Sequence, residues 1–249
     1  HEGYLTDLIS RKSVDYVKRM AETPEPFFLS MHYTAPHWPW ETRDDREVAD
    51  GIKGNIFHLQ GGNIHTYHRM IHHMDEGIGW VVEALRETGQ LDNTVIVFLA
   101  DNGAEASNFD KPRLESIRKS IAVADNKLAN RGKANSYVGY GPGWAQAATA
   151  PSWLHKGIET EGGTRTAAFI RFPGFYRQGA ISDAFLSVAD ITPTLLEAAG
   201  IPNHNGSFEG RKVQPITGKS WLGYLGGVRE RVYSAQDAIG GELFGRSEE

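Results

Sequence analysis

Between Thr94 and Ala100 the chain runs Val95-Ile96-Val97-Phe98-Leu99, with no polar side chain inside the run. A strand with one wet face alternates apolar and polar residues. An unbroken run predicts a strand covered on both faces, the habit of parallel sheets lined by helices. The turn that follows, Asp101-Asn102-Gly103, then falls at the edge where open α/β sheets hold their ligands. Upstream, Tyr67, Ile71, Met74, Ile78, Val81 and Leu85 recur at spacings of four and three. They predict one long amphipathic helix, capped by Asn63 and closed by Gly89. Gly77 and Gly79 inside it each cost about 1 kcal/mol relative to Ala, so a close neighbour is expected there. Phe27-Phe28-Leu29-Ser30-Met31-His32 follows Pro24 and Pro26 and reads as a buried strand. Strand, helix and strand form a βαβ unit with a right-handed crossover. The fold class read from these pieces is α/β, with a mostly parallel central sheet flanked by helices.

The remaining elements are shorter. Tyr33 to Trp40 contains two prolines and predicts an extended loop, and 41–62 is polar and loop-like. Residues 104–155 form a long insertion with a helix over Leu114 to Asn130; Tyr137, Tyr140, Trp144 and Trp153 favour an ordered lid. Ala167 to Phe172 reads as a strand ended by Pro173-Gly174, and Ala184 to Val188 as a weaker one. Thr192 with Pro193 behind it predicts a helix start, and Gly200 its end.

Composition narrows the chemistry. The 249 residues contain no Cys, which excludes disulfides, thiolate metal sites and a cysteine nucleophile within this sequence. A formal charge of −5 argues against a nucleic-acid binder, and no apolar run approaches the ~20 residues that span a bilayer. No Gly-x-Ser-x-Gly elbow, dinucleotide fingerprint or Walker loop occurs.

Four side chains remain as candidates for chemistry. Asp101 and Asn102 offer hard oxygens suited to Ca²⁺ or Mg²⁺, although Asp-Asn-Gly is also ordinary turn chemistry. Ca²⁺ takes roughly 6–8 oxygens, so other carboxylates must complete any shell. Lys156, six residues before Gly162-Gly163, is either a positioned ammonium for a developing anion or a solvated surface lysine. His37, in Ala35-Pro36-His37-Trp38-Pro39, is either a donor to an anion or leaving group or a histidine packed among aromatics. His68, His72, His73 and Asp75 share a helix but lack a Glu-x-x-His pair, and read as a partly solvated face rather than a metal site.

Taken together, these segments resemble the sulfatase family, on the alkaline-phosphatase-like superfold. Pro26-Phe27-Phe28 through Pro39 resembles its strand and histidine loop, and Tyr67 through Gly79 its long helix. Leu91-Asp92-Asn93-Thr94 through Glu105 is similar to its metal-binding segment. Lys156-Gly157 through Glu161-Gly162-Gly163-Thr164-Arg165 is similar to its Lys-to-Gly-Gly signature. Asp190-Ile191-Thr192-Pro193-Thr194-Leu195-Leu196 resembles a family helix start. Asn135 to Val138 and Trp144 to Ser152 look like the larger bacterial arylsulfatases. Thr164 and Thr166-Ala167 stand where an apolar residue and Val-Pro are usual, and Lys219 where Arg is common.

The resemblance implies a sulfuric ester hydrolase in which Asp101 and Asn102 are Ca²⁺ ligands and His37 and Lys156 contact the sulfate. It implies a formylglycine nucleophile, made from Cys or Ser in a Cys/Ser-x-Pro-x-Arg motif that has no match here, and an Asp pair earlier in the chain. Residues 1–225 would be the C-terminal portion of the catalytic domain, with 104–155 as a lid-like insertion. Residues 226–249 would begin a truncated C-terminal subdomain, and the chain alone is expected to be inactive. The expected partner is a small aryl, alkyl or carbohydrate sulfate, with no nucleic acid and no membrane segment. Oligomeric state is left open, as is the compartment, whether cytoplasmic, periplasmic or secreted. A phosphate or phosphonate ester hydrolase of the same superfold, or a catalytically dead anion- or carbohydrate-binding homologue, are the alternatives.

Overall fold

The computed structural model describes residues 2–37, 40, 42, 43, 64–106, 115–125, 127, 139, 141–175, 179–243 and 246–248. Asn63, Trp38, Pro39, Tyr137, Tyr140 and the 44–62 part of the predicted loop lie outside them. The chain divides into two compact units, His1–Arg171 with Glu242–Arg246, and Phe172–Gly241 with Ser247–Glu249.

In the first unit, helix α1 (Leu5–Met20) lies against helix α2 (Ile64–Glu87). Periodic apolar residues did not announce α1, because its buried line is Thr6, Ser10, Ser13 and Val17. The serines satisfy themselves within the helix, Ser10 Oγ donating to Thr6 O at 2.8 Å and Ser13 Oγ to Ile9 O at 2.9 Å. Small side chains on that face allow close approach. A Cβ on Gly77 of α2 would stand 2.1 Å from Ser10 Oγ, so the expected neighbour is present. At Gly79 nothing described lies within 4 Å, and that expectation fails.

The line of α2 that is most buried is Met70, His73, Gly77, Val81, Ala84 and Leu85, rotated slightly from the predicted apolar stripe. Its end is a Schellman motif: Gly89 has φ +71°, its N–H donates to Arg86 O, and Gln90 N–H donates to Leu85 O. Val17, Val81, Ala84 and Leu85 form one core, with Phe27, Leu29, Met31 and Ile96 against it.

Phe27 to Tyr33 is extended, with Phe27, Leu29, Met31 and Tyr33 half-buried and Phe28, Ser30 and His32 exposed. It alternates like a strand but joins no ladder among the described residues, so the βαβ unit is not formed there. The unbroken apolar run does form a strand, β1 (Ile96–Leu99), and the predicted partner region forms β2 (Ala168–Arg171). They pair antiparallel, Ile96 opposite Arg171 and Leu99 opposite Ala168. The parallel sheet expected from the apolar run is therefore not seen in this unit's described pairing. Nor is β1 covered on both faces: Ile96, Val97 and Phe98 are half-buried and Leu99 is exposed among the described residues. Phe98 and Phe169 stack across the pair at 4.9 Å. Arg171 fastens the pair, donating to Leu91 O at 2.5 Å and Asp92 Oδ1 at 2.9 Å.

The insertion contains helices α3 (Glu115–Val123) and α4 (Gly141–Thr149). A single helical turn, α5 (Glu161–Thr164), precedes β2.

The second unit is organised by Asp190, which is fully buried. The predicted strand at Ala184 to Val188 is instead irregular and leads into a 3₁₀ turn, Val188–Asp190. Helix α6 (Ile191–Ala198) starts one residue before Thr192 and has Asp190 at its N-cap, with no side-chain cap bond of its own; the box between Ser187 and Asp190 caps the 3₁₀ turn that leads into it. Ile201 N–H to Leu196 O and Gly200 at φ +67° close the helix as expected. Asp190 Oδ2 accepts from Ser187 N at 2.8 Å and Trp221 Nε1 at 3.2 Å; Oδ1 accepts from Lys219 N at 2.7 Å and from the Tyr233 hydroxyl. Burial pushes the Tyr233 hydroxyl up to about 12, and the hydrogen bond and charge of Asp190 push the same way.

Candidate functional site

β1 delivers Asp101 to the surface and leaves Asn102 half-buried. Asn102 Nδ2 donates to Gly103 O at 3.2 Å, so Oδ1 is the end of the amide available as an acceptor. The next residue sets the site. Gly103 N–H donates to Gly163 O at 3.1 Å, and a Cβ on Gly103 would stand 1.9 Å from Gly162 O. A Cβ on Gly162 would stand 1.9 Å from Leu154 O, and one on Gly163 would stand 2.0 Å from Ile158 O. Three glycines thus let the backbone after β1, the Gly-Gly turn and the 153–158 loop lie directly on one another.

That stacking brings Lys156 to the turn. Lys156 N–H donates to Ala104 O at 3.0 Å, and its Nζ lies 3.7 Å from Glu105 Oε2, with both side chains about one-third exposed (33% and 36%). An ammonium, a carboxylate and an amide from two distant stretches of sequence therefore share one edge. Glu105 was not singled out on its own, because one acidic residue in a loop has no periodicity to betray its partner.

His37 is exposed and sits in a turn, with its N–H donating to Thr34 O at 2.9 Å, rather than in the extended loop expected from the prolines. The lid expectation rests on aromatics of which Trp144 and Trp153 are described, and both are exposed (61% and 69%).

The histidines of α2 do something else. His73 is buried and its Nδ1 lies 3.2 Å from Glu76 Oε2; His72 is 3.6 Å from the other oxygen. Arg43 bridges Glu76 at 3.0 Å and Asp7 at 2.9 Å. The hydrogen bond from His73, with Arg43 and His72 nearby, holds the Glu76 carboxyl below its ordinary range. This is an ion-pair cluster where α2 meets α1. Among the described residues no group of three or more His, Asp or Glu is arranged to hold a metal.

The donor set at the turn fits a hard divalent cation in kind. Asp101 and Asn102 present oxygens only, on a backbone fixed by glycine contacts, but fall short of a full shell. None of the described helices is long and apolar enough to cross a membrane.

Comparison with known proteins bears on the family of the chain. The sulfatase family model matches residues 1–201. An uncharacterised sulfatase of Schizosaccharomyces pombe is 33% identical over 98% of this chain and 51% of its own length. An arylsulfatase of Klebsiella aerogenes is 40% identical over 87% of this chain and 55% of its own. The chain thus spans about half the length of these curated relatives. Among solved structures, Ps i-CgsB superposes with a TM-score of 0.52 at 28% identity, covering 80% of this chain and 35% of that one. The same protein has been solved in complex with k-i-k-neocarrahexaose. That likeness carries the alkaline-phosphatase-like α/β class, and with the family match over most of its length the chain belongs to the sulfatase family.

Proposed function

We propose that the protein is a sulfuric ester hydrolase and that this chain carries part of its anion- and cation-binding edge. The observation that carries the reading is the glycine-lined stacking that holds Lys156 beside the Asp101-Asn102 turn. Lys156 neutralises charge on the sulfate oxygens, and Glu105 holds the ammonium until the anion displaces it. Asp101 and Asn102 would hold a hard divalent cation, Ca²⁺ by the family resemblance, which would supply Lewis acidity when bound. His37 donates a hydrogen bond or a proton near the leaving oxygen. The family's formylglycine motif has no match in this sequence, so the roles proposed for this chain are binding, orientation, charge neutralisation and, at His37, donation toward the leaving oxygen. The substrate class is a small aryl, alkyl or carbohydrate sulfate; relatives named as N-acetylgalactosamine-6-sulfatases and the carbohydrate-bound neighbour support including sugars.

Turnover of an aryl sulfate by the full-length protein is the direct test, with the matching aryl phosphate as comparison. Removing one preorganised donor to a developing anion costs roughly 10²–10³ in kcat. Lys156→Ala is therefore expected to lower kcat on the sulfate by about 10²-fold or more. Unchanged kcat would refute its role, and preference for the phosphate would move the protein to the phosphohydrolase branch. No turnover of either ester would favour a binding homologue.

A further inference from the structure

The loop that carries Lys156 presents one large side chain that the proposed chemistry leaves unused. Trp153 is 69% exposed, although the backbone around it is held at almost every polar atom. Its carbonyl accepts from Gly162 N–H at 2.9 Å and from Thr160 Oγ1 at 2.5 Å. On one side, Ser152 N–H donates to Thr149 O at 3.0 Å and Ser152 O accepts from Gln146 Nε2 at 2.9 Å. On the other, Leu154 N–H donates to Gln146 Oε1 at 2.8 Å and Leu154 O accepts from Thr149 Oγ1 at 2.7 Å. Leu154 itself has φ +62°, a conformation costly for a bulky non-glycine residue that persists where its surroundings enforce it. The same Gly162 that accommodates the Trp153 and Leu154 carbonyls lies against Gly103. The backbone of Trp153 is therefore tied through Gly162 to the Asp101-Asn102 turn and lies three residues from Lys156, with its indole left on the surface.

We propose that Trp153 is a specificity-determining residue, whose indole face receives the ring of the alcohol portion of the ester while Lys156 meets the anionic head. This rests on the sulfate-ester reading above and adds to it which part of the substrate is recognised. An indole offers a flat apolar face to aryl rings and to the C–H face of a pyranose. With its backbone held, binding orders only the two torsions of the side chain, so the cost in conformational freedom is small for the area offered. Trp144 is exposed to a similar degree, 61%, but lies on α4 about 140–160° around the helix from the clamping residues Gln146 and Thr149. It is the internal control.

The test is steady-state kinetics of the full-length protein on an aryl sulfate, a monosaccharide sulfate and the ringless ethyl sulfate. Trp153→Ala is expected to raise KM for a ring-bearing ester about tenfold, with kcat within about twofold and KM for ethyl sulfate unchanged. The ring whose KM moves more identifies the aryl or sugar class. Trp153→Phe, which keeps an aromatic face, restores most of the affinity and guards against a folding defect. Trp144→Ala leaves all three esters unaffected. An unchanged KM on both ring-bearing esters, or an equal rise with ethyl sulfate, would overturn the inference while leaving the sulfatase reading intact. Failure of the wild-type protein to turn over any sulfate ester would remove that reading and this inference with it.

Discussion

Two carboxylates at the ends of short backbone elements, Asp101 and Asp190, are put to opposite uses. Asp190 is completely buried, and both its oxygens are consumed by donors from Ser187, Lys219, Trp221 and Tyr233. Around Asp101 the close contacts are backbone on backbone, through Gly103, Gly162 and Gly163, and the acidic side chain is left at the surface. A carboxylate whose lone pairs are filled by internal donors holds a fold together. One left facing outward on a rigid backbone remains available to a ligand. Burial alone would rank Asp190 as the more notable acid, yet its filled coordination removes it from chemistry.

The largest expected effect follows from that difference. Asp190→Ala strands four buried or half-buried donors at about 1–3 kcal/mol each with partial relaxation, for a net loss of about 4 kcal/mol. Asp101→Ala, at the surface, should stay within about 0.5 kcal/mol of wild type in metal-free buffer. Urea unfolding of the full-length variants measures both. Equal losses would break the distinction between a structural and an available carboxylate.

Gly162→Ala comes next. The added methyl meets the Leu154 carbonyl at 1.9 Å, and backbone on that side cannot swing away as a flexible side chain would. Overpacking of this kind costs roughly 1–3 kcal/mol, so a loss of about 3 kcal/mol together with sulfate-ester turnover is expected. A melting temperature and kcat equal to wild type would show that the stacked backbone does not set the site.

How much of this was legible beforehand depended on whether the sequence signal was local. The Schellman ends at Gly89 and Gly200, the strand at Ile96–Leu99 and the Lys-to-Gly-Gly turn were all readable, because each is written in a few adjacent residues. Helix α1 was missed because its buried face is built from Thr6, Ser10 and Ser13, which look polar to any periodicity argument although the two serine hydroxyls bond within the helix. Gly77 and Gly79 were indistinguishable in sequence. Only the first meets Ser10, a fact that lives on another helix. The antiparallel pairing of β1 with β2 was not legible for the same reason, since an apolar run does not record which strand lies beside it, nor, with Leu99 exposed, how fully it is covered. At the site, Asp101, Asn102 and Lys156 were identifiable by type, but that Lys156 lies beside Glu105 and that glycine contacts join the two segments required the third dimension.

The smallest expected effect sharpens the account of Asp190 by isolating one of its donors. Burial, then the hydrogen bond and charge of Asp190, raise the Tyr233 hydroxyl to about 12 from an ordinary value near 10. Folding therefore favours the protonated phenol. Below about pH 10 folded and unfolded chains both keep the proton and this contribution is fully present. Between about 10 and 12 the unfolded chain releases its proton while the folded one retains it, so stability falls as pH rises and the contribution is lost through the folded value. Tyr233→Phe removes one hydrogen bond to a carboxylate, at a cost of about 2 kcal/mol near neutrality, and should also remove this part of the alkaline slope. Urea midpoints of the two proteins between pH 8 and pH 12, on the order of the interval set by that raised value, compare the slopes directly. Parallel slopes would mean that the phenol keeps its proton no more tightly in the folded protein than in the unfolded chain. The hub would then rest on Ser187, Lys219 and Trp221 alone, donors that carry no titrating proton in this range.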